Sequence, residues 1–591
     1  MSATISANNS KFVIFGAGHD YTLADSGEGE KIFFSHPFVP LNAVNYAGQY
    51  YFLAPIYDPN DETAEPVMTD VVKDDIGHCT FTPALNTAFS TEGEVEVKVK
   101  YRREYIYDES TILVEKELTQ KITVVDHGTV SLATNTVDMY TDGYAYIHPD
   151  GNNISQLPRP LYLGNSTKVS SIPWRQTYFS NLFSGTKITD ITELEYADVS
   201  NATSLNSCFK ACRYLESLDG LQGWNVSNVV DFSQTFAECD VLTDIEAVGK
   251  WNTTSATNME KTFYDCFVLE DIDALGNWSV SKVATMASMF LYCYKLADIS
   301  PLSSWDVSEL MTGSKLFDGT AIETLDALER WNTSKLVNAD GMFAQCSKLT
   351  DVSAVASWNK SRLGSVAEFF KQCTSLVDIS SLAEWDTSYF RQMNGFFDGC
   401  IEITDYSPIA NWDVSNVQTM ESMFDGSYTN NKIVYGMKLR DVDFLANWDV
   451  SSCTNFKRMF YMQEWLSDLS GISDWDVSNG GVFELMFGNG SSIRNMSALS
   501  GWDMSNASNI TWMFNGLLDY SAGKDVDLIR DTNNDYFDID GNWYSRYDSS
   551  LGVISELTVD CSALENWTVS IASPTNVVPN INRFINKPSW Y

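Results

Sequence analysis

Apolar residues recur at a fixed spacing along the last two thirds of the chain. Trp224, Trp251, Trp278 and Trp305 stand 27 residues apart, and Trp331, Trp358, Trp385 and Trp412 continue the series after one 26-residue step. Trp448, Trp475 and Trp502 follow a longer gap. Twelve positions after each tryptophan comes a phenylalanine, from Phe236 to Phe514, and an earlier copy with Ala197 in the tryptophan slot keeps Phe209. Within one copy Val283, Met286, Met289, Phe290 and Cys293 follow helical steps. The spacing therefore predicts a short helix with one buried stripe, capped by Ser281. In another copy Ser415 and Gln418 make a capping-box pattern. Leu296 and Ile299 then flank a piece too short for a second helix, which reads as a strand paired in parallel with its equivalents.

Such a period is the mark of a solenoid, in which each unit buries its apolar face only against its neighbours. Every slot becomes a column. One column holds Cys212, Cys239, Cys266, Cys293, Cys346, Cys373 and Cys400, with Thr320, Ser427 and Gly490 as substitutes. Replacement by small residues points to small buried side chains and away from ligands. Strands ~4.8 Å apart beneath helices ~10 Å wide predict a curved stack with the strands inside.

Upstream of the repeats the period changes to two. Val95, Val97, Val99 and Tyr101 alternate with polar residues, and residues 105–107, 108–110 and 111–125 read as strand, turn and strand. The runs EVEVKVKY and KELTQKITVVDHG resemble the final strands of an immunoglobulin-like or polycystic-kidney-disease-type sandwich. Turn formers such as Asp150-Gly151-Asn152-Asn153 suggest a connector. The expected organisation is a β-rich attachment domain over 1–128, a connector and cap over 129–190, repeats over 191–518, and an acidic insertion with a C-terminal cap over 519–591. The fold class is α+β, a β-sandwich-like domain followed by a curved leucine-rich-repeat-like α/β solenoid of about 12 copies. Two polar excursions, around Ser427 to Gly436 and between Tyr520 and Ile554, read as protruding loops.

The formal charge of −40 sets the chain against nucleic acid and anionic lipid. It contains no 18-residue apolar run, so membrane insertion is not expected. The opening MSATISANNSKF has neither the basic start nor the apolar stretch of a signal peptide, which predicts synthesis in, and initial retention by, a cytoplasm.

Candidate chemistry is sparse. All five histidines precede the repeats, which leaves none for catalysis or zinc there. The run KFVIFGAGHD places Tyr21 where a dinucleotide loop needs its third glycine, so no cofactor is expected. Asp531, Asn533 and Asp535 imitate the start of a calcium loop, but Tyr536 and Asn542 replace its glycine and glutamate; an irregular structural Ca²⁺ site is the most they suggest. The strongest column is acidic: Asp244, Asp271, Asp298, Asp351, Asp378, Asp405, Asp441 and Asp468 each lie seven residues before a tryptophan. Unit charges ~5 Å apart repel by roughly 1 kcal/mol in water, so the stack needs compensation. Each Asp could accept turn hydrogen bonds, or the column could form a stripe for a basic partner or cations.

The segment W-D-V-S-N-V-x-x-M-x-S-M-F from Trp412 to Phe424, and C-x-x-L-x-D-I-S from Cys373 to Ser380, resemble the BspA-like leucine-rich-repeat family of bacterial surface proteins. The resemblance implies a solenoid used for adhesion or partner binding, with no catalytic residues to carry over. Family members are exported and anchored, and this sequence shows neither signal. The expected function is therefore that of a non-enzymatic phage virion protein, a tail, head-fibre or decoration component. Its N-terminal domain would dock on other virion proteins while the solenoid binds a host-surface protein or glycan, and a homo-oligomer is allowed. The alternatives are a bacterial cell-surface adhesin and a polysaccharide-active enzyme, the latter needing paired carboxylates in a cleft.

Overall fold

The computed structural model describes strand segments between residues 12 and 125, most of 130–147, 161–171, most of 179–515 apart chiefly from 359–361, 427–438 and 490–492, and short stretches of 529–590. The chain forms two compact units, residues 1–256 with 273–278, and residues 257–272 with 279–591.

The first unit begins with β1 (Phe12–Phe15), β2 (Asp20–Thr22), β3 (Lys31–Phe33), β4 (Met68–Lys73), β5 (Cys79–Thr82), β6 (Gly93–Tyr107) and β7 (Ser110–Val125). β6 and β7 pair antiparallel along their whole length, from Gly93 opposite Val124 to Tyr107 opposite Ser110. This is the hairpin that the alternating valines predict. It lies inside a mixed five-stranded sheet of order β1-β7-β6-β4-β5, in which β4 runs parallel to β6, while β2 and β3 form a separate ribbon. One sheet and a ribbon are thus described where the sequence suggests two packed sheets. A second sheet of order β11-β10-β9-β8 uses β8 (Val130–Ala133), β9 (Val137–Tyr140), β10 (Tyr144–Ile147) and β11 (Lys168–Ser171). Lys168 bridges in parallel to Asp190, which joins that sheet to the repeats.

Both units contain repeat coils, and the coil differs from the expected strand and helix. Among the described residues the helical elements are 3₁₀ turns of three to five residues, such as Ser300–Ser304 and Ser380–Leu382, ending no more than two residues short of the tryptophan. The segment expected to be helical is a ladder instead. Alternate N–H groups reach the next copy, Met286 to the Thr312 carbonyl at 3.0 Å, Ser288 to Ser314 at 2.8 Å, Phe290 to Leu316 at 3.0 Å and Tyr292 to Asp318 at 2.9 Å. The residues between them turn back on their own copy, Met289 to Met286 at 3.0 Å and Cys293 to Phe290 at 3.0 Å. An α-helix is blocked because positions ten and fourteen after the tryptophan are left-handed, as in Ser288 (φ 57°) and Tyr292 (φ 66°). Left-handed backbone costs ~1–2 kcal/mol per non-glycine residue, while each inter-copy hydrogen bond returns about 1 kcal/mol. The apolar steps of three that suggested a helix serve a chain of i to i+3 turns equally well.

The serine expected as a helix cap has a different partner. Ser415 N–H donates to Asp413 Oδ1 at 3.1 Å, and the Gln418 N–H donates to the Arg391 carbonyl at 2.9 Å. In the copy of Ser281, that hydroxyl instead meets the Ser279 hydroxyl at 3.4 Å. The expected strand is reduced to single parallel bridges, Ser217 to Asp244 in the first unit and Thr324 to Asp351 to Asp378 in the second. A further bridge column, Thr285 to Thr312 to Asn338 to Ser365, runs through the segment read as helix. Without a helical layer, the mismatch of spacings that predicted curvature does not arise.

Two aromatic ladders run through the core. In the first unit Trp224, Trp251 and Trp278 stack at 6.3 and 6.2 Å with planes 5° and 8° apart. In the second, Trp305, Trp331 and Trp358 follow at 6.5 and 6.3 Å. Phe263, Phe290, Phe317 and Phe343 stack at 5.8 to 6.0 Å. Phe183 stacks on Phe209 at 5.2 Å, and Thr186 fills its cysteine slot, so a copy precedes Ala197 within the segment read as a connector. At the other end Trp567 stacks on Trp502 at 6.4 Å and Trp590 on Trp567 at 6.1 Å.

Indoles of the stack also donate to the copy before them. Trp358 Nε1–H reaches the Leu328 carbonyl at 3.1 Å, and the same oxygen takes the Trp331 backbone N–H at 3.0 Å. Trp251, Trp278, Trp412 and Trp475 repeat the link at 2.9 to 3.1 Å. Trp358→Phe should therefore lower stability by about 1 kcal/mol through the lost donor, because Leu328 keeps its second partner. Trp358→Ala should cost about 3–5 kcal/mol; urea midpoints check both. Gly341 (φ 58°) occupies a left-handed slot, so Gly341→Val should cost ~1–2 kcal/mol and Gly341→Asn distinctly less, measured by thermal unfolding.

Candidate binding surface

All eight aspartates of the predicted column are exposed. Their position follows from the coil: each stands two residues before a 3₁₀ turn, and seven of the eight cap it. Asp298 Oδ1 accepts the Ser300 N–H at 2.7 Å, Asp351 that of Ser353 at 2.7 Å, Asp378 that of Ser380 at 2.8 Å and Asp405 that of Ser407 at 2.8 Å. Asp244, Asp441 and Asp468 do the same with Glu246, Asp443 and Ser470 at 3.0, 3.3 and 2.8 Å. Asp271 is exposed in the same slot. Hydrogen bonds from the following serine, its N–H first for Asp298, Asp378 and Asp468 and its side chain first for Asp405, favour the charged form and hold these four below the usual carboxylate range. The column is thus an Asx-turn ladder that faces solvent.

A second acidic column, passed over in the sequence, directly follows the tryptophans. Asp306, Asp386, Asp413, Asp449, Asp476 and Asp503 are exposed, and each accepts the N–H of a serine two residues on, at 2.9 to 3.2 Å. Its signal was the W-D-x-S spacing itself. A third set is buried. Asp318, Asp398 and Asp425, each thirteen residues after a tryptophan, are 2%, 6% and 1% exposed. Gln345 Nε2 donates to Asp318 at 2.9 Å, Lys371 lies 3.3 Å from Asp398, and Arg458 lies 2.8 Å from Asp425. One oxygen of Asp398 has no hydrogen-bond partner.

The cysteine column is a donor ladder. Cys346, Cys373 and Cys400 Sγ–H donate to the carbonyls of Phe317, Phe343 and Phe370 in the preceding copies at 3.2, 3.1 and 3.0 Å. Gln463, in the same slot, donates its amide to the Phe424 carbonyl. All ten described cysteines are free and buried, and burial pushes the thiols of Cys212, Cys346 and Cys453 up to about 12, far from the thiolate that metals and nucleophilic chemistry need. Among the described residues no group of three or more His, Cys, Asp or Glu is placed to hold a metal. The calcium candidates Asp531, Asn533 and Asp535, the histidines and the loop around Ser427 to Gly436 lie outside the described residues.

Four rings of the second unit meet at the surface in adjacent copies. Tyr292 and Tyr294 stack at 5.7 Å, Phe267 and Tyr294 at 5.9 Å, and Tyr264 meets Tyr292 at 6.1 Å. Tyr294 is 51% exposed, and the other three are partly exposed.

No curated protein matches the sequence. The family described as "Mycoplasma protein of unknown function, DUF285" matches residues 177–298, 268–378, 350–445 and 431–527, which together span more than half of the 591 residues. The chain belongs to that family. Among solved structures, the crystal structure of a leucine rich cell surface protein from Faecalibacterium prausnitzii A2-165 is similar at 15% identity, covering 61% of this chain and 93% of that one, with a TM-score of 0.29.

Within the DUF285 copies the buried acids make stability depend on pH. Burial, then repulsion from Asp425, raises Asp398 to about 7, although Lys371 and Arg458 pull the other way; burial raises Asp318 to about 6. An acid whose folded pKa is raised holds its proton in the folded state after the unfolded chain has released it. Its stabilising contribution is therefore full at acid pH and lost as pH rises from the ordinary 3.8 towards 7. Asp298, Asp378, Asp405 and Asp468, with depressed values, act in the opposite sense and lose their contribution on acidification below that ordinary value. Asp398→Asn should therefore raise the melting temperature relative to wild type at pH 8 and raise it clearly less at pH 5, which differential scanning calorimetry resolves.

Proposed function

We propose that the chain is a non-enzymatic binding protein displayed at a bacterial cell surface, where its repeats present a periodic face to a partner protein or glycan. The N-terminal sheets serve in attachment, and no cofactor takes part. The observation that carries this reading is the exposed Asp column. Each carboxylate accepts a backbone N–H, yet the charges of Asp351, Asp378 and Asp405 remain in solvent in successive copies, at a constant register, as a multivalent contact requires. The family description, which names Mycoplasma, supports a cell as the site of action over a phage particle. The −40 charge suits a soluble face that rejects polyanions.

Location and binding are tested together. Protease shaving of intact producing cells should release repeat peptides; recovery of the protein in purified phage particles, and not on cells, would overturn the location. Asp351→Asn/Asp378→Asn/Asp405→Asn, in three consecutive copies, should reduce adherence of the full chain to mucin-coated plates or cultured epithelial cells by several-fold. Unchanged adherence with a lower melting temperature would assign the column to folding alone.

A further inference from the structure

Thirteen residues after the tryptophan, several copies carry a buried apolar side chain, as in Ala237, Leu291 and Ala344. Two adjacent copies place Lys371 and Asp398 in that slot instead. Lys371 Nζ lies 3.3 Å from Asp398 Oδ2 and 2.6 Å from Glu368 Oε1. The other oxygen of Asp398, Oδ1, is buried without a hydrogen-bond partner. Gly395 packs over the group: a Cβ there would stand 3.4 Å from Glu368 Cγ and 3.8 Å from Asp398 Oδ2.

The coil fixes both sides of this contact. Glu368, Phe370 and Gln372 donate their backbone N–H groups to the carbonyls of Asn394, Phe396 and Asp398 at 2.6, 3.1 and 2.6 Å. Phe370 and Phe397, one residue before the lysine and the aspartate, stack at 6.4 Å. Groups held about 3–3.5 Å apart in a fixed orientation react far faster than free ones. The setting also differs from that of a surface ion pair. Lys335 and Glu309 meet at 2.5 Å, but their side chains are 42% and 48% exposed, whereas that of Asp398 is 9% exposed. A buried carboxylate with one bare oxygen is costly, and burial followed by repulsion from Asp425 pushes Asp398 towards its acid form. Burial pulls Lys371 down, but the hydrogen bond to Glu368 and then the charge of Asp398 outweigh it and keep the amine protonated. Glu368 stands where it can accept the proton that the amine must lose.

We propose that Lys371 and Asp398 condense to an amide that joins adjacent copies, with Glu368 as the proton carrier. Glu368 takes one proton from Lys371 Nζ, and the freed amine adds to Cγ of the Asp398 carboxylic acid. The N–C bond forms, the bond from Cγ to the hydroxyl oxygen breaks, and that hydroxyl leaves as water with a second Nζ proton. The third stays as the amide N–H, and Glu368, whose side chain is 39% exposed, returns its proton to solvent. Nothing is oxidised or reduced. The product removes the charge and one of the two oxygens from a buried place, and it closes a covalent loop of chain between residues 371 and 398. The pH dependence assigned to Asp398 is that of the chain before linkage. The cross-link concerns the scaffold and stands whichever ligand the repeats bind.

Intact-mass measurement of the full chain purified from producing cells tests the proposal. The folded protein should be one water lighter than its sequence, and a tryptic digest should keep a branched peptide joining Lys371 to Asp398. Lys371→Arg, which retains the charge, and Asp398→Ala should both keep the full mass. Glu368→Gln should slow the loss of water from freshly folded protein at pH 7 by about a hundredfold. A folded chain that holds its full mass after prolonged incubation at pH 7 would overturn the proposal. So would a missing water that persists in Lys371→Arg, because ring closure between Asp398 and the Gly399 nitrogen loses the same mass.

Discussion

One carbonyl per copy, three residues before the tryptophan, holds these coils in register. It receives the backbone N–H of its own tryptophan and the indole N–H of the next, as Leu328 does from Trp331 and Trp358. The indole thus does two jobs, stacking on its neighbours and donating across the interface. A phenylalanine could do only the first, and a smaller residue neither. Because a buried polar group without a partner costs more than a made bond returns, the link penalises any slip of one copy against the next. The cysteine ladder works on the same principle, with a sulfur donor meeting the phenylalanine carbonyl.

The columns were legible in the sequence because a stacked repeat repeats its burial. Trp278, Phe290 and Cys293 are all buried, as their recurrence predicted. The secondary structure of a copy was less legible. Val283, Met286 and Met289 carry spacings common to a helix and to a run of i to i+3 turns, and composition does not separate the two. Most left-handed positions are filled by ordinary residues such as Ser288, Lys315 and Gln345, so no glycine pattern announced them. Nor could periodicity show that alternate N–H groups leave the copy. That partition depends on having a neighbour.

The polar columns show how much of the surface chemistry the fold itself consumes. The predicted acidic column caps 3₁₀ turns, and a second one, from Asp306 to Asp503, fastens the chain after each tryptophan. Features that break the period are more informative about partners than those that keep it. Tyr294 is exposed and Tyr292 and Phe267 are partly exposed, at slots that elsewhere hold Gln345, Ser347 or Thr374. Nothing in the repeat formula requires them. The buried acids Asp318, Asp398 and Asp425 also break the period, and the lysine, arginine and amide groups around them are correspondingly irregular.

Trp448 rests on Trp412 at 6.4 Å and 8°, and Trp567 on Trp502 at 6.4 Å and 5°, although 36 and 65 residues of chain separate the members of each pair. In both cases the described coil breaks off after the phenylalanine, at Gly426 and at Asn515, and the indole stack continues unbroken beyond the added sequence. That end of the repeat is a splice point. Foreign segments, whether an epitope tag, a reporter or a grafted recognition loop, can enter there without disturbing the indole stack, and the same freedom would let related chains diversify their specificity while conserving one scaffold.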